Sequence, residues 1–202
     1  MNVNNALAIP GKSSNQMLLN LQSIAGQDVF NGNIHLRRKS ITGLTRAYNG
    51  NVSLEQCRAK RIPELSRENA LVETKNGSVE LINSCPIKGN VSTSNGTVRV
   101  LNSFINGNVN ASNGQVTLSQ NSVVTGDVTT SNGIVDIDSS RILGTLKMNG
   151  NNIVLGQNSE INKLQLNHVN EISMSGGGAF SWGRNVSSVG NITINNNNSV
   201  FF

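Results

Sequence analysis

The side chains from which a reactive site could be built are few: two histidines, two cysteines and eleven carboxylates in 202 residues. Asp136 and Asp138 are separated by one apolar residue, Ile137. On a strand they share one outward face, and two such carboxylates are the minimum for a calcium site or a glycosidase pair. The equivalent places in neighbouring repeats (set out below) hold Glu80, Arg99, Thr117 and Val154. No acid cluster builds up around them, so a solvated face is the expectation. His35 and His168 lie about seven turns apart, roughly 34 Å at ~4.8 Å per turn, too far to share a metal or a proton. Cysteine pairs of zinc-binding spacing and the hexapeptide spelling of acyltransferase helices are both missing. No catalytic residue, metal or other cofactor is expected, and the chain reads as a non-enzyme.

Two clusters could still act. Cys57 follows Val52 by five residues and Cys85 follows Val79 by six. If Val52 and Val79 stack, the two cysteines fall at nearly the same corner of successive turns. Their Cα atoms could then approach the ~4.4–6.8 Å a disulfide tolerates. A disulfide and a pair of buried thiols both remain open. The second cluster is basic: Arg37, Arg38, Lys39 and Arg46, followed by Arg58, Lys60 and Arg61. One patch built from these seven could hold the phosphates of an anionic lipid. Base-stacking aromatics are missing around it, Tyr48 excepted, which counts against nucleic acid. The net charge of +5 arises wholly in this region, because residues 76–202 carry six basic and six acidic side chains. Threonine-rich columns raise an ice-binding reading, but Thr93, Ala111, Thr130 and Met148 are not a regular threonine array.

What would position these residues is a repeat. The unit Asn-Gly-x-Val-x-Leu occurs as NGNIHL at Asn31, NGNVSL at Asn49, NGSVEL at Asn76, NGTVRV at Asn95, NGQVTL at Asn113 and NGIVDI at Asn132. Looser copies centre on Ile153, Ile172 and Ile192. With Ile34, Val52, Val79, Val98, Val116 and Val135, these form nine markers spaced by 18, 27, 19, 18, 19, 18, 19 and 20 residues. A period of this size signals a solenoid, in which no repeat can bury its apolar face alone. Apolar and polar residues alternate, which argues for strands with one face inward. Expected inward columns are the nine markers, then Ile87, Ile105, Val124, Ile142 and Ile161, then Val91, Val109, Val128 and Leu146. Gly89, Gly107, Gly126 and Gly144 form a further column. The glycines of the Asn-Gly turns are expected to supply positive φ.

The fold class expected is all-β: a parallel β-solenoid, a right-handed β-helix of about nine coils. Residues 1–26 are read as a mobile arm and a short capping helix over Asn15–Ala25, and residues 27–202 as the solenoid. The long step marks an insertion within 55–71, where Pro63 and Glu64 suit the start of one or two helical turns. No apolar run reaches the roughly 20 residues of a membrane span, and no signal-peptide order opens the chain.

The spelling around Gly126-Asp127-Val128 and Thr130-Ser131-Asn132-Gly133-Ile134-Val135 resembles two bacterial β-solenoid groups. These are the bactofilins and an adhesin-like group with the repeat G-D-V-x-x-x-T-S-N-G-x-V-x-L. The resemblance covers Ser84 to Ile137. To bactofilins it implies end-to-end polymerisation without nucleotide. Partners expected are therefore the chain itself or another protein, with anionic lipid as a further candidate. The second reading is a secreted or host-delivered protein that binds through its basic N-terminal coils and side loop. The compartment is left open.

Overall fold

The computed structural model describes residues 21–60, 70–84, 86–175, 179–186, 189–195 and 199–201. These form a parallel β-solenoid of about eight turns, with no helix among the described residues. Each turn contributes a strand to each of three faces. The first face stacks Gln22–Ala25, Lys39–Thr42, Arg58–Lys60, Ile87–Lys88, Phe104–Asn106 and Val123–Val124. The second stacks Asp28–Asn31, Thr45–Asn49, Ala70–Thr74, Asn90–Thr93, Val109–Ala111 and Val128–Thr130. From Arg141–Asn149 onward one long strand serves both faces. The third face is a separate sheet of nine strands, from Ile34–Arg37 to Val189–Asn195.

The repeat markers pair in one unbroken register: Ile34 with Val52, Val52 with Val79, and so on to Ile172 with Ile192. The other two apolar columns run in register as well, Ile87 through Ile161 and Val91 through Leu146. Nearly all of these side chains from Ile34 to Met174 are buried in one continuous core. Each fully buried Val, Ile or Leu contributes roughly 1.5–3 kcal/mol, so stacking Val on Val supplies what scarce aromatics elsewhere would. The threonines Thr74, Thr93 and Thr130 are buried within the rod, and Thr74 Oγ1 donates to the Gly77 carbonyl (2.6 Å).

Three expectations change. Gln22–Ala25, assigned to the capping helix, is instead a strand on Lys39–Thr42, with Ile24 paired to Ile41. An open strand edge offers hydrogen bonds in register, and that tertiary pairing overrides a short helical periodicity. Among the described residues the solenoid begins at Gln22; residues 15–20 of the expected helix lie outside them. The inserted segment is also narrower than 55–71. Arg58–Lys60 is a regular strand between Lys39–Thr42 and Ile87–Lys88, with small Ala59 buried beneath its flanking cations. Ala70–Thr74 is likewise in the sheet, and the expected helical turns fall on residues 61–69, outside the description.

The third change concerns the reason for glycine. Gly50, Gly77, Gly96, Gly114 and Gly133 do not hold the left-handed conformation, unlike Gly32 at φ 133°. They are needed because successive turns touch there: a Cβ on Gly114 would lie 1.7 Å from the Gly96 carbonyl oxygen, and one on Gly133 would lie 1.7 Å from that of Gly114. Close backbone approach, not φ, excludes a side chain. Gly114→Ala is accordingly expected to cost about 2–3 kcal/mol in urea denaturation, because backbone and not a movable side chain must yield. An unchanged midpoint would contradict that account.

Candidate functional surface

The stacking that builds the core also arranges the surface into columns. At the turn between the second and third faces, Asn49 Nδ2 donates to Asn31 Oδ1 (2.9 Å). The pattern continues through Asn76, Asn95, Asn113 and Asn132 at 2.9–3.0 Å. In this exposed amide ladder each side chain satisfies the next. At the turn between the second sheet arm and the first, Asn90, Asn108 and Asp127 behave differently. Each side-chain oxygen accepts the backbone N–H of the following turn, from Asn108, Asp127 and Thr145, at 2.8 Å.

A third column lies at the corner that leads from the third face to the first, and it contains Cys57. Ser84, Ser103, Ser122, Ser140 and Ser159 are buried there. The Ser84 N–H donates to Ser103 Oγ (2.9 Å), Ser103 N–H to Ser122 Oγ (3.3 Å) and Ser122 N–H to Ser140 Oγ (3.1 Å). Cys57 heads this series: its N–H donates to Ser84 Oγ (3.3 Å) and its thiol to the Leu36 carbonyl (3.3 Å). Ser84 Oγ in turn donates to the Leu54 carbonyl (3.0 Å), the same contact one turn on. The residue that stacks on Cys57 is thus Ser84. Cys57 carries a free thiol, and Cys85 lies outside the described residues. Burial pushes the Cys57 thiol up, against backbone hydrogen bonds that lower it. A thiol held above its ordinary range is a poor nucleophile at neutral pH.

The basic residues do not gather on one face. Arg37 lies on the third face and pairs with Glu55 one turn on (3.1 Å). Arg46 lies on the second face and pairs with Asp28 (2.6 Å), which holds the Asp28 carboxyl below its ordinary value. Arg38 occupies a turn at φ 54°. Lys39 reaches the first face and donates to Gln22 Oε1. Arg58 and Lys60 also stand on the first face; Arg61 falls outside the described residues. A cation that sequence reasoning missed joins them: Lys88 stands in register with Lys60, both exposed. The extra nine residues in the long step hide that register from a fixed-period alignment.

Two further features were not singled out from the sequence. Phe30 and Tyr48 stack on the second face, ring centroids 5.1 Å apart and planes 16° from parallel. Lys75 Nζ follows in the next turn, 4.8 Å from the Tyr48 ring centroid and 2.6 Å from its hydroxyl. The 18-residue separation of Phe30 and Tyr48, one repeat, is the signal that could have found them. On the same face a shallow depression of about 360 Å³ is lined by Ser92, Asn108, Asn110, Asp127, Thr129 and Lys147 among others. Lys147 Nζ lies 2.6 Å from Asp127 Oδ2 and, with the Thr145 N–H, holds that carboxyl below its ordinary value.

The remaining chemistry-bearing side chains stay apart. His35 lies on the third face in register with Ser53, and His168 occupies a turn at φ 54° near the other end. Asp136 is half-buried between Thr117 and Val154 in its column, and burial, helped by the Asp138 charge, raises its carboxyl. Among the described residues no three His, Cys, Asp or Glu side chains gather into a metal site, and no helix is long and apolar enough to cross a membrane. What the arrangement offers is flat, periodic hydrogen-bonding and charged surface.

Two outcomes follow. Cys57→Ser should leave stability within about 1 kcal/mol of the parent in urea denaturation, because serine holds that place in the next five turns, whereas the bulkier Cys57→Leu should cost about 1–3 kcal/mol. Asp136 and Asp127 should show opposite pH signs. The raised Asp136 penalises the fold once ionised, so Asp136→Asn should stabilise at pH 7, by less than about 1 kcal/mol at this half-exposed site. That gain should vanish as pH falls below the ordinary aspartate value of 3.8. The depressed Asp127 stabilises the fold above its ordinary value, so Asp127→Asn should destabilise at pH 7, with the deficit fading as pH falls through its folded value. Melting curves against pH measure both. Compared with protein-family models, curated proteins and solved structures, the chain matches none.

Proposed function

We propose that this chain is a non-enzymatic structural rod that associates end to end. The observation that carries this reading is the state of the first turn. Among the described residues, Gln22–Ala25, Asp28–Asn31 and Ile34–Arg37 each pair with one neighbouring strand, on the side of the second turn. Ile24 and Val29 pack on the core yet stay only partly buried. At the other end, among the described residues, Val189–Asn195 pairs with Val169–Ser175 on one side. Ile192 continues the column that Ile34 begins, so both ends have matching strands on the third face. An edge strand is a template for another strand, and a head-to-tail contact that does not close makes a filament. The bactofilin-like spelling of the central repeats supports the same reading. The winding is taken as right-handed, as parallel crossover connections overwhelmingly are.

Light scattering of the full chain across a concentration series tests this. Mass should rise with concentration, and Ile24→Lys, a charge aimed inward at the first edge, should return the protein to monomer. A monomer at every concentration would overturn the proposal.

A further inference from the structure

The three faces of the rod treat charge differently. On the second and third faces, cations meet carboxylates from an adjacent turn. Arg46 lies in register with Asp28, Arg37 with Glu55 and Arg99 with Glu80, and each pair is bonded. Lys147 reaches Asp127 diagonally. The first face is composed differently. Its described strands from Gln22–Ala25 to Val123–Val124 contain Lys39, Arg58, Lys60 and Lys88 and no Asp or Glu. Among the described strands of this face the first carboxylate is Glu160, in register with Arg141.

Within this face Lys60 and Lys88 stand directly opposite each other on paired strands. Like charges in that position repel, and a solenoid that elsewhere stacks opposite charges departs here from its own rule. A multivalent anion outside the protein would relieve the repulsion. The same face also turns apolar side chains outward. Phe104 and Val123 are in register and half-buried, and Leu143, two residues past Arg141, is 44% exposed. A soluble polyanion would use the cations and leave these side chains in water. A lipid surface uses both, because its phosphates meet the lysines and its interface takes up the apolar groups.

We propose that the first face of the solenoid docks flat on an anionic lipid bilayer, with Lys60 and Lys88 at the headgroup phosphates and Phe104, Val123 and Leu143 against the interface. The docking surface is narrower than the basic stretch of the sequence and differently composed: it gains Lys88 and excludes Arg37 and Arg46. It does not depend on end-to-end association, because the face runs along the rod and away from its ends.

Co-sedimentation of the full chain with vesicles of equal parts phosphatidylserine and phosphatidylcholine tests the proposal, against phosphatidylcholine alone. The protein should bind the mixed vesicles only, and binding should weaken as ionic strength rises from about 0.01 M to about 0.15 M. One membrane-facing lysine is worth about fivefold in partitioning, so Lys60→Gln with Lys88→Gln should lower it roughly 25-fold. Arg99→Gln with Lys147→Gln, which changes net charge equally on the other faces, should lower it less than about twofold. Phe104→Ser should reduce the part of the binding that survives salt. Circular dichroism confirms that each variant is folded. Equal loss from both double variants, no binding to the mixed vesicles, or capture by soluble heparin in place of vesicles would each overturn the proposal.

Discussion

The structure depends on how closely one turn can lie on the next. Backbone hydrogen bonds between turns run from the first described strands to the last, and at the Asn-Gly corners they draw carbonyl oxygen onto glycine with no space for a Cβ. Once that contact is made at one corner, the register of the whole turn follows. A slip of one residue would put every inward valine outside and every outward serine inside. The corner glycines therefore act less as hinges than as spacers of zero thickness, and the core columns inherit their alignment.

Alignment of this kind stacks like on like, which is favourable for some side chains and costly for others. Asparagine gains from it, since each amide donates and accepts along the axis. Buried serine gains as well, because its hydroxyl accepts the N–H of the preceding turn while donating to a carbonyl. Cysteine fits the same socket at the head of that column, its thiol reaching the Leu36 and Glu55 carbonyls at 3.3 Å. Charged residues lose from it, and on two faces the chain answers by alternating sign along the column. On the first face Lys60 instead stands in register with Lys88.

Most of the fold was legible in the sequence, because one period governs the turns, the strands and the core together. Nine markers spaced by 18 to 27 residues led directly to the third face and its register. Two things were not legible. The segment Gln22–Ala25 ends a stretch in which Met17, Leu18, Leu21 and Ile24 have helical spacing, and only the presence of Lys39–Thr42 beside it makes it a strand. The register across the long step was hidden too. Cys57 stacks on Ser84, and Lys60 pairs with Lys88 although a fixed period would place neither pair. Surface sites suffered most, since a column is a property of several turns at once. The basic run Arg37-Arg38-Lys39 crosses a corner and so divides between two faces, a division that charge counting along the chain does not see.

The geometry bears on what kind of partner such a rod can recognise. Catalysis asks a few different groups to converge on one point within hydrogen-bond reach. Outward side chains on a flat parallel sheet instead diverge, and neighbours in a column sit about 4.8 Å apart with the same chemistry repeated. That arrangement matches partners that are themselves flat or periodic, such as a bilayer or another turn of the same solenoid. It also explains why ion pairs between adjacent turns and an amide ladder coexist with scattered histidines. Side chains that gain from repetition lie where the repeat places them, and those that would need unlike neighbours are found singly. The likeness of one turn to the next, which limits the chemistry available at any point, is the same property that extends a weak contact into a long one.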